Sequence, residues 1–291
     1  MTMRRVELRG SLVDRVTQRW VIATGRRVDL VGGQGWLDGP VGDPGGIGDR
    51  WVEAHAARHR ADVVEGPEQG LLPRFAALTP SLDVAAVSPH IAAFYETTAA
   101  WSVDVSSRWA RWAEPGGRLI NAVFARRLRQ LSLPLDPLDV AQGMDSRVAA
   151  IVAPDGDHLG TVWQRTLRAT GATVFGGFYG ACTLPGAAGP SVRVVFPLPN
   201  GSLTVFLRPE ATPDSGLVLS SKRGRFGEDG AYLVVRPGAA DQGWARRVPL
   251  HERFALSAGR DGSVRCDHRL DLGPLELLRL RYRLRRHPTG D

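Results

Sequence analysis

The feature that most restricts the fold of this chain is a change of hydrophobic period near residue 148. From there onward apolar and polar residues alternate with period 2, the spacing of a strand with one buried face. Two turns between these runs are chemically explicit. Asn200-Gly201 separates Val192–Phe196 from Leu203–Leu207, and Asp261-Gly262 separates Phe254–Leu256 from the run starting at Val264. Such dipeptides tolerate the positive φ that tight hairpin loops demand. Strands are expected near 160–169, 172–180, 191–198, 202–208, 216–221, 230–236, 246–258, 263–272 and 276–285. Strand after strand without intervening helices calls for an antiparallel sheet. A sheet with so many strands must curl, closing or nearly closing.

Ahead of that boundary the spacing is mostly helical. The first 20 residues read as a strand or arm, with Val6 and Leu8 alternating against Glu7 and Arg9. Residues 31–50 are a glycine-dense loop. A helix is expected from a cap at Asp49 to about Val64, and a longer one from Ser88-Pro89 to Gly116-Gly117. The stripe of that second helix is Ile91, Phe94, Thr98, Trp101, Val105, Trp109 and Trp112. A third helix is expected over Arg118–Leu131, followed by a linker over 132–147. The fold class is therefore α+β: a mostly helical region, 1–147, packed on an antiparallel barrel-like domain, 148–291.

Composition closes off several chemistries. Of 37 basic residues only Lys222 is a lysine, and it lies in a turn-like Ser220–Arg225 segment, so Schiff-base chemistry has no good candidate. Two cysteines make no disulfide framework. The start reaches charges at once, and no run of about 18 apolar residues occurs; together these suggest a cytoplasmic protein. His55 and His59 have the i, i+4 spacing of metal ligands, but Ala56 stands where a zinc protease needs Glu, so no metal is expected. Gly42–Asp49 lacks the Lys-Ser/Thr ending of a phosphate loop and the third glycine of a dinucleotide fingerprint, so no nucleotide cofactor is expected either. Asp155-Gly156-Asp157-His158 reads as a hairpin turn.

The candidate site comes from strand parity. Val264, Cys266, His268, Leu270 and Leu272 share one face, while Arg265, Asp267, Arg269 and Asp271 share the other. Leu278, Leu280, Tyr282 and Leu284 likewise oppose Arg279, Arg281, Arg283 and Arg285. His268 and Tyr282 thus lie on apolar faces of neighbouring strands, where a His or Tyr is either a satisfied core residue or the polar spot of a ligand cavity. Arg165 shares parity with Trp163 and Leu167. If that face is inward, the guanidinium is buried and needs a carboxylate or an anionic ligand; if Val162 and Thr166 face in, it is solvated.

Three functions fit these residues. The first is a binding protein holding a hydrophobic small molecule or acyl chain. Val264, Leu278, Leu280, Trp163, Phe178 and Phe196 would line its cavity, Tyr95 would reach it, and His268, Tyr282 and Arg165 would hold the polar end. The second is a cofactor-independent cyclase or isomerase of a polyketide- or terpene-like substrate, with His268 as proton shuttle and Tyr282 as donor. The third is a nucleic-acid or partner-protein module using Arg279, Arg281 and Arg283, the least favoured of the three. The basic, apolar 118–131 segment adds the option of peripheral membrane contact, and oligomeric state is left open.

Overall fold

The computed structural model describes residues 8–42, 50–109, 144–168, 171, 173–222, 224–237 and 240–287. Helices are few among the described residues: α1 (Leu12–Thr24), α2 (Arg50–His59) and α3 (Pro89–Glu96), with short 3-10 turns between. Strands β1 (Arg26–Asp29), β2 (Asp62–Glu65) and β3 (Trp101–Trp109) precede the rest. Then come β4 (Met144–Val152), β5 (His158–Leu167), β6 (Thr173–Thr183), β7 (Pro190–Leu198), β8 (Gly201–Ala211), β9 (Leu217–Ser220) and β10 (Gly230–Val235). The last four are β11 (Gln242–Val248), β12 (Leu250–Ala258), β13 (Val264–Leu272) and β14 (Leu275–Arg286).

All 14 strands join one sheet, in the order β2-β4-β5-β6-β7-β8-β9-β12-β13-β14-β3. It forks at β8, because β10 pairs with Gly201–Phe206 while β9 pairs with Arg208–Ala211. From β10 a branch continues through β11 to β1. The sheet curls strongly without closing among the described residues. Arg165 on β5 comes to 6.0 Å from the Tyr282 ring on β14, although β6, β7, β8, β9, β12 and β13 stand between them in the sheet.

The hairpins follow their turn chemistry. Asn200 adopts φ +59° between β7 and β8, and Gly262 adopts φ +74° between β12 and β13. Each expected strand is present with small boundary shifts, except that 246–258 divides into β11 and β12 around Pro249, which has no N–H for a ladder.

The expected helical half is corrected. Residues 12–24 form a helix instead of an arm because Ser11 and Asp14 make a capping box. The Asp14 N–H donates to Ser11 Oγ at 3.3 Å, and the Ser11 N–H to Asp14 Oδ2 at 2.8 Å. The helix expected to reach Val64 stops at His59, where Arg60 takes φ +53°, and residues 62–65 pair with β4. The long aromatic helix ends at Glu96, and residues 101–109 are strand β3 along β14. Trp101, Val105 and Trp109 satisfy period 2 as well as the helical stripe, and pairing with a neighbouring strand decides between them. The third expected helix, 118–131, lies outside the described residues. Strands from the first half therefore complete the sheet of the second.

Packing sets the layers. The segment from Leu71 to Tyr95 plugs the concave side, with Phe75, Leu78, Ile91 and Phe94 buried against Trp163, Val194, Phe196, Val205, Leu219 and Leu280. Helix α2 covers the convex side through Trp51, Val52 and Ala56 on Ile151, Val162, Phe178 and Val195. Helix α1 covers the β10–β11 branch through Val21. Its buried Gln18 accepts from the Asn200 side chain at 3.1 Å and donates to Pro199 O at 3.0 Å, tying it to the β7–β8 turn. With both faces covered, β10 is buried throughout and β7 everywhere except at half-buried Arg193.

Candidate functional site

Three strands supply the polar side chains on the concave wall. On β12 the inward positions are Leu250, Glu252, Phe254 and Leu256. On β13 they are Val264, Cys266, His268 and Leu270, and on β14 Leu278, Leu280, Tyr282 and Leu284. Phe254 pairs with His268 and Cys266 with Tyr282, so Glu252, His268 and Tyr282 are diagonal neighbours within side-chain reach. His268 Nε2 lies 3.2 Å from Glu252 Oε2, and its Nδ1 lies 3.4 Å from the Tyr282 hydroxyl. Phe254 stacks on the imidazole at 3.8 Å between ring centroids, fixing its plane. His268 and Glu252 are each only 4% exposed.

The facing wall is aromatic. Trp163 and Arg165 do point inward from β5, and Arg165 is 8% exposed. Its guanidinium lies 4.3 Å from the Trp163 ring, 5.7 Å from Phe175 and 6.0 Å from Tyr282. Phe175 and Tyr179 come from β6, where Gly177 between them leaves room; a Cβ there would sit 3.0 Å from the Tyr179 ring. The Trp163 indole N–H donates to Ser146 Oγ at 2.8 Å and so needs nothing from the interior. Arg165 is different. No carboxylate or hydrogen-bond acceptor meets its guanidinium among the described residues, and Nε is buried without a partner.

Burial shapes the electrostatics. It disfavours the charged form of Arg165, yet a guanidinium stays cationic at neutral pH. It raises the hydroxyls of Tyr95, Tyr179 and Tyr282, so all three remain proton donors. The Cys266 thiol is pushed up to about 12 by burial, which makes it a small apolar wall residue. The Tyr95 and Tyr179 hydroxyls have no hydrogen-bond partner among the described residues, and Glu252 Oε1 is buried without one. Cation, donors and carboxylate thus face one interior with unmet hydrogen-bonding capacity.

Of the residues singled out by sequence, Trp163, Arg165, Phe196, Val264, His268, Leu278, Leu280, Tyr282 and Tyr95 all reach this concave wall or its plug. Phe178 does not. It has the parity opposite to Phe175 and Tyr179 and packs on the convex side, 5.0 Å from the His55 ring of α2. Glu252, Tyr179, Phe175 and Phe254 were missed. Alternation in Leu250, Glu252, Phe254, Leu256 carries the signal for the first, since one acid lies on an otherwise apolar face.

The other candidates resolve plainly. His55 is buried against Phe178, its ring 4.7 Å from His59, and desolvation lowers it to about 3. No group of three or more metal-ligating side chains occurs among the described residues. On the convex face of β12–β14, Arg279 is paired with Asp267 at 2.7 Å, Arg283 with Asp261 at 2.8 Å and Arg281 with Asp267 at 3.8 Å. An open groove of about 390 Å³ there is bordered by Arg265, Arg281 and Arg283 but also by Asp104 and Asp267. No helix among the described residues is long and apolar enough to cross a membrane. No protein-family model, curated protein or solved structure matches the chain, so the site is read from its own chemistry.

Proposed function

We propose that the protein binds a hydrophobic small molecule or acyl chain bearing one acidic oxygen group on the concave side of the curled sheet. The observation that carries this reading is Arg165, a buried guanidinium ringed by Trp163, Phe175 and Tyr282 with no carboxylate beside it among the described residues. Burying a charge without a counter-charge costs several kcal/mol. A ligand carboxylate would supply the missing partner, with the Tyr95 and Tyr179 hydroxyls as further donors. The apolar body would lie against the Trp163 and Phe175 rings that surround the guanidinium. The design, an apolar wall with a few convergent polar groups, is that of small-molecule sites in general.

The test compares decanoate with 1-decanol by titration calorimetry on wild-type protein and Arg165→Met. Charge-assisted hydrogen bonds predict that decanoate binds roughly ten- to a hundredfold tighter than the alcohol, with the preference lost in the variant. Equal binding of the two, or a preference untouched by Arg165→Met, overturns the reading.

A further inference from the structure

From the linkage of Glu252, His268 and Tyr282 opposite Arg165, we infer that the site also catalyses proton transfer on carbon, enolising a hydrophobic carbonyl compound whose oxygen rests on Arg165. This rests on the binding reading above and adds to it an activity. A carboxylate oxygen accepts hydrogen bonds, so the 3.2 Å contact to Glu252 Oε2 assigns the ring proton of His268 to Nε2. Nδ1 is then the bare nitrogen, and at 3.4 Å it accepts from the Tyr282 hydroxyl. Stacking on Phe254 holds the ring in the plane both contacts need. The Tyr282 ring lies 6.0 Å from the Arg165 guanidinium, which puts base and oxyanion partner close together on the concave side of the sheet.

The step balances without a co-reactant. Tyr282 Oη takes the proton from the carbon beside the carbonyl while its own hydroxyl proton passes to His268 Nδ1. The imidazolium formed is held by Glu252. The C–H electron pair becomes the C=C bond of the enolate, and the carbonyl π pair moves onto oxygen, where Arg165 meets the charge. Return of the proton through the same chain, to the same carbon or to the far end of a conjugated system, gives exchange or a 1,3-shift. Tyr282 and Arg165 touch the substrate; His268 and Glu252 act through Tyr282 and are positioning residues.

The probe is 2-tetralone, a two-ring hydrophobic ketone, in D2O, with loss of its α-proton signals followed by NMR. Wild-type protein is expected to exchange them about a hundredfold faster than buffer, with saturation in ketone and inhibition by decanoate. Tyr282→Phe, which keeps the ring and its packing, is expected to return exchange to near the buffer rate. Glu252→Gln, which keeps an acceptor on His268 but removes the charge, is expected to lower maximal exchange about tenfold or more with half-saturation and decanoate affinity unchanged. Exchange at the buffer rate in protein that binds decanoate through Arg165 overturns the catalytic inference and leaves the binding reading standing. Exchange that survives Tyr282→Phe also overturns it, because the proton then takes another route. If neither decanoate binding nor exchange is seen, both readings fall together.

Discussion

Strands β12, β13 and β14 carry charge on both faces, and the two faces obey opposite rules. On the convex side the charges are numerous, exposed and paired: Arg279 with Asp267, Arg283 with Asp261, Arg269 with Asp271 at 2.7 Å. Water already solvates each partner, so little changes when a pair forms or breaks. On the concave side the charged and polar groups are few and nearly waterless. Glu252 and His268 depend on each other, and among the described residues Arg165 meets only π faces. The same residue types are close to interchangeable on one face and decisive on the other, and the difference is the dielectric around them.

The sharpest way to break this contrast is His268→Leu. It leaves Glu252 buried with no hydrogen-bond partner for either carboxylate oxygen among the described residues, and denaturant unfolding should show a loss of about 2–4 kcal/mol. The double replacement with Glu252→Leu should recover most of that loss. A single variant as stable as wild type would mean the dyad does not depend on mutual pairing. Arg165→Met should act in the opposite sense, raising the ligand-free stability by about 1–3 kcal/mol because an uncompensated buried cation is removed. Unchanged or lower stability would show that the aromatic ring cage already offsets the desolvation.

A third comparison uses pH. His55, buried on the α2 side, has its ionisation lowered from 6.5 to about 3 by desolvation, so the unfolded chain takes up a proton there before the native one does. Its contribution is therefore fully present above pH 6.5 and is lost as pH falls from 6.5 towards 3. The slope approaches about 1.4 kcal/mol per pH unit. Urea midpoints measured between pH 7 and 4 should flatten in His55→Phe by that amount, and equal slopes in both proteins would refute the assignment. The smallest effect is expected outside: Asp271→Asn should move the thermal midpoint by no more than about 1–2 °C.

The second half of the fold was legible because its strands alternate cleanly and two of its turns declare themselves as Asn-Gly and Asp-Gly. The first half was not, for reasons that differ by segment. At 101–109 the residues fit a helical stripe and a strand equally, and only the partner strand β14 decides. At 62–65 a helix ends on the positive φ of Arg60, a residue type with no preference for it. Within the site, parity found His268 and Tyr282 because each is a polar residue among aliphatic ones. Phe178 was misplaced because β6 is apolar on both sides, and no alternation tells the concave face from the one under α2. Arg165 remained ambiguous from sequence for the same reason: β5 is covered on both faces.

The pairing of β3 with β14 also bears on how the protein comes into being. Trp109 and its partner Leu278 are separated by 169 positions in the chain, and the other pairs of this ladder by more. Contacts so distant in sequence form late, after loop-closure entropy over most of the molecule has been overcome. During synthesis β3 emerges from the ribosome long before the strand that will cover its edge, and Tyr282 arrives with that strand. The apolar plug and the walls made earlier must wait, exposed, until the translation machinery delivers β14. Expression yield should therefore depend on chaperone supply more than the finished protein's equilibrium stability would suggest.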